Sequence, residues 1–490
     1  MIPAGLELDL VACLPELILT AGLLVLLILS LLFRERRGQV MAIGGSLLLL
    51  AAAIVSLSGD ERVGAYLFGS VVQDGVTLFF RVFFCCGTIL CLWLLLPSFR
   101  KDAEPFLLMI SGVLGMFLLA GANDLVTLFV ALELVSIPSY VLAGYRRLDV
   151  RSGEAALKYI LYGALSSGLM IYGMAFLYGL TSTTMLPEIA AKLSTAPNQQ
   201  SMLLIALILV LAGIGYKIAM VPFHFWCPDV YEGSPTAVTA FLSVLPKAAG
   251  LAALYRMIPV FQTLDTSYGV SALLIVSIAS AVTMTFGNLG AIWQTSLKRL
   301  LAYSSIAHAG YILMGFAVLA GIGEVDLYWQ TSEAIFFYLV TYLFMNLGAF
   351  LIVDWVERHK GGEGIERFRG LGRTDPIPAI LLAVFLFSLT GIPPLAGFIG
   401  KFLLFAALVK AKMFALAVIA IANTVVSLYY YVRVIRAMFL DDPAPEIVVP
   451  GSGFRWGSVV GILSLATVIP TLILGVWWGP LFEWIHLRTW

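Results

Sequence analysis

Charge is scarce in this chain. Only 12% of its 490 residues are Asp, Glu, Lys or Arg, and 29 basic residues balance 29 acidic ones. Soluble domains carry about 25% charged residues, so an ordinary water-soluble fold is excluded. The zero net charge, with no basic patch interleaved with aromatics, excludes a nucleic-acid binder. Histidine is rarer still: four residues, too few and too scattered for a haem pair. The five cysteines, Cys13, Cys85, Cys86, Cys91 and Cys227, show neither CxxC spacing nor a ferredoxin-like run. That argues against an iron–sulfur cluster; they read as small apolar residues on helices. GxGxxG and Walker A stretches are lacking, so nucleotide binding is not indicated. The first ten residues carry Glu7 and Asp9 in place of a basic leader, so the first apolar run is expected to be retained.

What fills the chain is hydrophobic residue, 61% of it. Runs of about 20 apolar residues recur from end to end, the pattern of an all-α, polytopic integral membrane bundle. They fall at 14–33, 40–57, 76–97, 106–120, 124–145, 154–180, 201–220, 235–258, 269–293, 297–320, 329–356, 377–409, 413–440 and 458–485. This predicts about fourteen transmembrane helices. The longest polar connections are 181–200, 357–376 and 441–457, and "ERHKGGEGIERFRGLGRTD" (357–375) reads as a surface linker. Eighteen basic residues, among them Arg34, Arg146, Arg151 and Arg369, lie in or at the edge of one set of loops; six, including Arg62, Lys192 and Arg488, lie in the other set and the termini. The positive-inside rule then puts both termini outside, in agreement with an even helix count.

Five basic residues remain, all within predicted spans: Arg81, Lys158, Lys217, Lys247 and Lys401. Arg81, near a segment start, reads as snorkelling or ion-paired. Lys401, in "SLTGIPPLAGFIGKFLLFAALV", sits nine residues before Lys410, about 13 Å deeper along a regular helix. A charge at the bilayer centre costs about 2.5 kcal/mol or more, so such groups face a bundle interior or a wet cavity. Burial also favours the neutral form of an amine, which makes it able to take up and release a proton. The Pro393–Pro394 break leaves backbone groups that only protein or internal water can satisfy. Lys401 is therefore expected beside a hydrated interior path.

Two blocks share these features. Lys217 precedes a break at "MVPFHFWCPD", and Lys401 follows one at "GIPP", in segments of opposite predicted direction. Inverted repeats with discontinuous helices are a recurring transporter plan. The chain divides accordingly into 1–105 (N-terminal helices), 106–258 and 269–440 (the two repeats) and 441–490 (C-terminal helix). Polar stripes at helical spacing accompany the lysines: Lys158, Tyr162 and Ser166; Thr239, Ser243 and Lys247; Glu133, Ser136 and Tyr140; Ser304, His308 and Tyr311. Such chains of titratable and hydroxyl groups are the anatomy of proton relays. Plainer readings stand beside each site. Glu133 with one lysine is equally a structural ion pair, and His308 equally a hydrogen-bonded bundle histidine. Lys158, four residues from Glu154, is equally a snorkelling cation, and His224, beside Pro222 and Trp226, equally a brace for the break. Four lysines and a glutamate together in the membrane are harder to explain as structure alone.

Four stretches carry a resemblance: "ALELVSIPSYVLAGY", "GYKIAMVPFHFWCPDVYEGSPTAVTAFLSVLPKAAG", "LKRLLAYSSIAHAGYILMG" and "SLTGIPPLAGFIGKF". They closely resemble the antiporter-like membrane subunits of respiratory complex I, the proton-pumping NADH:quinone oxidoreductase, over nearly the whole chain. The most distal such subunit is longer and carries a lateral helix, and the middle one typically has glutamate where Lys401 stands; the likeness is to neither. Cys227 and Ser234 depart from the commoner small residues and leave the titratable positions intact. The resemblance implies that Glu133 and Lys217 form the controlling pair of a first half-channel, with Lys158 modulating it. It implies Lys247 as the connecting lysine, His308 and water as the continuation, and Lys401 as the end of a second half-channel; His224, by its place at the first break, is expected to support the path. It implies no cofactor in this chain, with NAD, FMN, iron–sulfur clusters and quinone in partner subunits. The implied setting is the bacterial cytoplasmic (inner) membrane among other membrane-arm subunits, related antiporter-like ones included. An Mrp-type cation/proton antiporter subunit and an inert scaffold are the rival expectations. No residue set specifies a quinone site.

Overall fold

The structure, a computed structural model, describes residues 12–58, 64–195, 200–264, 271–321, 324–443 and 454–489. Glu7, Asp9 and Arg62, used above for the leader and the orientation, lie outside the described residues, as do 444–453 of the last polar connection.

All fourteen predicted spans fall on helices. In chain order the helices are α1 (Leu14–Leu32), α2 (Arg37–Ser58), α3 (Gly75–Leu95), α4 (Glu104–Ala120), α5 (Leu125–Ala143), α6 (Val150–Thr181), α7 (Leu186–Ser194), α8 (Gln200–Ile218), α9 (Trp226–Gly233) and α10 (Thr236–Phe261). They continue as α11 (Ala272–Ile292), α12 (Leu297–Gly321), α13 (Val325–Lys360), α14 (Leu371–Thr374), α15 (Pro376–Thr390), α16 (Ala396–Lys410), α17 (Phe414–Phe439), α18 (Val459–Val476) and α19 (Gly479–Thr489). Twelve of those described are long and apolar enough to cross a membrane. The expected span 106–120 is the shorter helix α4, and 377–409 is split into the half-helices α15 and α16.

Helix starts follow side-chain chemistry. Asp74 and Asp124 accept the backbone N–H of Thr77 (2.8 Å) and Thr127 (2.6 Å), capping α3 and α5. Three features differ from the sequence reading. The predicted span 458–485 breaks at Trp477, because Gly479 and Pro480 open a new helix in which proline's fixed φ is accepted. The stretch 181–200 is no plain connection: it contains α7, which buries Leu186, Ile189 and Leu193 on one face. The 357–375 segment is no free linker either, since Phe368 and Leu371 are fully buried. A short hairpin, β1 (Gly64–Tyr66) on β2 (Val71–Gln73), pairs Ala65 with Val72; its three-residue strands are too short to leave a pattern.

Helices α10, α12 and α13 form the centre. The apolar stretch of α10 is buried throughout and those of α12 and α13 nearly so, whereas α1, α6, α11 and α17 bury about a third of theirs. The central helices carry Lys247, His308 and the tyrosines Tyr338 and Tyr342. The broken pairs α8–α9 and α15–α16 pack against them: α8 on α10, and α16 on α13.

Candidate proton-conducting interior

Lys217 ends α8 and is 1% exposed. The chain turns away at Ala219 in a left-handed conformation (φ +59°), and the carbonyls this frees are taken within the protein. The Gly215 carbonyl accepts Met220 N–H (2.7 Å), and the Tyr216 carbonyl accepts Ala219 N–H (3.1 Å) and the Trp226 indole (3.0 Å). Lys217 Nζ instead donates to Ser136 Oγ of α5 at 3.0 Å. Gly250 of α10 gives its stem room, since a Cβ there would stand 3.1 Å from Lys217 Cβ. Glu133, one turn before Ser136, makes no ion pair with Lys217. Its Oε1 accepts from Ser167 Oγ of α6 at 2.5 Å. The implied Glu133–Lys217 pair is thus open, with Lys217 held on Ser136 and Glu133 on Ser167.

Lys247 on α10 is 4% exposed. Its Nζ donates to Ser305 Oγ (2.6 Å), lies 3.7 Å from Cys227 Sγ and sits over the Tyr231 ring at 5.3 Å. Ser305 also accepts from Tyr342 OH at 2.8 Å. One turn on, His308 Nδ1 is 2.6 Å from Tyr338 OH and Nε2 is 3.5 Å from Tyr431 OH; Tyr431 in turn bonds Ser304. Tyr311, a turn further, presents its ring to Lys401 Nζ at 4.5 Å. The stripe Ser304, His308, Tyr311 is therefore one buried row, between Lys247 at one end and Lys401 at the other. Among the described residues no hydrogen bond joins Lys217 directly to Lys247.

Lys401, 3% exposed, lies in the second turn of α16 and folds back on the end of α15. Its Nζ donates to the carbonyls of Leu389 (3.1 Å) and Thr390 (2.9 Å), which the break at Gly391 leaves open. A helix C-terminus carries partial negative charge and suits a cation. Gly391 takes φ +91°, and a Cβ there would come within 3.0 Å of Lys401 Cδ. That is why the prolines and the lysine occur together: the break supplies the lysine's acceptors.

Two expected residues lie elsewhere. Lys158 is not at the Glu133 pair. It is a third exposed and bridges Glu154 (2.7 Å) and Asp229 of α9 (2.5 Å). Tyr162 of its stripe is exposed; the buried face of α6 runs instead through Tyr159, Gly163 and Ser166. His224, in the first break, packs between Phe225 and Phe286, with ring centroids 4.4 and 4.5 Å away and Nδ1 unpartnered. It does not reach the lysine row.

Sequence reasoning missed Asp229, which also binds Arg299 at 2.7 Å and so ties α6, α9 and α12 together. Burial pushes the Asp229 carboxyl up; hydrogen bonds from Lys158 and Arg299 more than offset this and hold it below its usual range. It also missed Tyr338, Tyr342 and Asn346, a four-residue-spaced stripe in the middle of α13 that was legible. Asn346 Nδ2 donates to Ser243 Oγ (2.6 Å), and its buried Oδ1 has no protein donor. No group of three or more His, Cys, Asp or Glu among the described residues is placed to hold a metal ion.

Residues 122–427 match the family described as NADH:quinone oxidoreductase/Mrp antiporter, TM. The chain is similar to NADH-quinone oxidoreductase subunit N of Anaeromyxobacter sp. (strain Fw109-5), at 43% identity with 96% of this chain and 94% of that protein covered. Among solved structures it is similar to a chain of respiratory complex I from Thermus thermophilus with bound aureothin: TM-score 0.77, 33% identity, 94% of this chain and 98% of that one. A chain of the Mrp complex from Dietzia sp. DQ12-45-1b shares the fold at TM-score 0.81 and 23% identity, covering 98% of this chain and 97% of that one.

Proposed function

The chain belongs to the antiporter-like membrane subunits of NADH:quinone oxidoreductase, in the group named subunit N, and from that premise we propose how its buried amines move protons. It is a multi-pass membrane subunit of a respiratory complex, with other membrane-arm subunits as partners and the redox cofactors of the complex in other subunits. We take this chain to hold no redox centre of its own, and its setting to be the bacterial inner membrane with both termini outside. Residues 106–258 and 269–440 act as the two half-channels; the close packing of α4 on α5 and of α11 on α12 at matching places supports that division.

One observation carries the mechanism. Lys217, Lys247 and Lys401 are buried, and their hydrogen bonds go to neutral oxygens and a thiol and not to carboxylates. A neutral amine keeps two N–H donors, so those bonds survive loss of the proton; a carboxylate partner would lock the ammonium in place. Glu133 supplies the control. Moved toward Lys217 it favours the ammonium, and moved away, toward Ser167, it releases the proton to the interior. The proton passes to Lys247, along Ser305 and His308, and to Lys401, with Asn346 Oδ1 offering a seat for a bridging water. Moving one charge against 100 mV costs about 2.3 kcal/mol, so the switch must change proton affinity about fifty-fold. Lys158 with Asp229 holds the half-helix α9 in place, and His224 braces the break.

The test is Lys247→Ala in the assembled complex reconstituted in vesicles. Protons moved per NADH oxidised fall while the complex still assembles; unchanged stoichiometry and turnover would remove Lys247 from the path. An antiporter working without redox partners is the lesser reading, since likeness to the Mrp chain extends to the fold alone.

A further inference from the structure

A wholly apolar notch of about 400 Å³ lies between α3, α13, α18 and α19, away from the lysine row. Phe79, Cys86, Val340, Ile473, Leu481 and Trp484 are among its walls. Its size suits a small-molecule tail, and a lining with no polar surface excludes a sugar, nucleotide or quinone head as the buried part. It opens outward from the bundle, because Cys86 is exposed and Ile473 is 47% exposed.

The second observation lies on α19. Leu481 and Trp484 line the notch, and Arg488 continues the same stripe one turn further. The residue is half-buried and, among the described residues, its guanidinium has no hydrogen-bond or ion-pair partner. A partly covered cation without a protein partner is free to take an anionic group from outside the chain. Glu483 is off this stripe, and His486 is engaged with Glu333 at 2.7 Å. Trp477 and Trp484 flank the α18–α19 break, and tryptophan favours the depth of lipid headgroups.

We propose that this notch is a glycerophospholipid site, with an acyl chain in the apolar slot and the phosphate on Arg488. The lipid closes the gap left where α18 stops short of α19 and holds α19 against α3 and α13. The inference does not depend on how the lysines work.

A phosphatidylglycerol with a photoreactive acyl chain tests it in the assembled complex in nanodiscs, with adducts mapped to peptides. Adducts fall on segments 79–86 and 469–484 of this chain. Ile473→Trp fills the slot and Arg488→Gln removes the cation; each lowers adduct yield by about tenfold or less, and the second, on a partly exposed helix end, leaves the fold intact. A diacylglycerol with the same chain labels less and ignores Arg488→Gln. No adducts in these segments, yields unchanged in both variants, or a neighbouring subunit's helix crosslinked into the slot would overturn the proposal; equal labelling by both lipids would overturn the phosphate contact.

Discussion

The two broken helices hold their lysines in opposite ways. At the first, protein donors close the freed carbonyls and Lys217 reaches across to Ser136 of α5. At the second, the Leu389 and Thr390 carbonyls stay open and Lys401 folds back onto its own interrupted helix. Lys217 thus depends on a neighbouring helix, with Glu133 one turn away to change its field. Lys401 rests on fixed backbone dipoles and the Tyr311 ring, which shift little. The first break is built to receive a signal and the second to hold a proton until the row beside it delivers or takes one.

The largest effects should come from the lysines themselves. Lys217→Ala and Lys401→Ala each remove a site that nothing replaces, and proton pumping in vesicles should fall about tenfold or more. Glu133→Gln comes next and separates the two breaks. It should slow pumping severalfold by removing the field at Lys217, while Glu133→Asp restores part of the rate; equal rates for both would erase the distinction. Gly391→Ala forces a side chain into left-handed backbone against Lys401 Cδ and should cost about 1–2 kcal/mol, read as a lower thermal midpoint of the purified complex. Gly250→Ala, at ordinary helical φ, should perturb Lys217 with less loss of stability. The smallest effect belongs to the periphery. Asp229→Asn should cost about 1 kcal/mol or less, as partly exposed ion pairs do. A carboxylate held below its usual value adds stability above about pH 4 and loses it as pH falls through the folded value. The difference between wild type and Asp229→Asn should therefore stay flat from about pH 6 to 8.

Much of this was legible because the membrane makes polar residues conspicuous. Lys217, Lys247, His308 and Lys401 stood out as charges or imidazole in apolar runs, and all four are buried where that reading put them. Their partners were less legible. The acceptors of Lys401 are backbone carbonyls, which no side chain announces. Ser136, and not Glu133, meets Lys217, and both lie on the stripe the sequence showed, so the pattern alone did not decide between them. The second partner of Lys158 was less legible still: Asp229 is 71 residues away, and pairing at that range is set by the break before α9. The hairpin and the split between α18 and α19 fell below the length at which periodicity speaks.

The central claim is that these amines change charge during turnover. Isotope-edited infrared difference spectra of the assembled complex, with lysine labelled at Nζ, read that directly. Ammonium bands should change between resting enzyme and enzyme oxidising NADH, and should weaken in Lys217→Ala and Lys401→Ala. Lysine bands identical in the two states of the wild-type complex would contradict it.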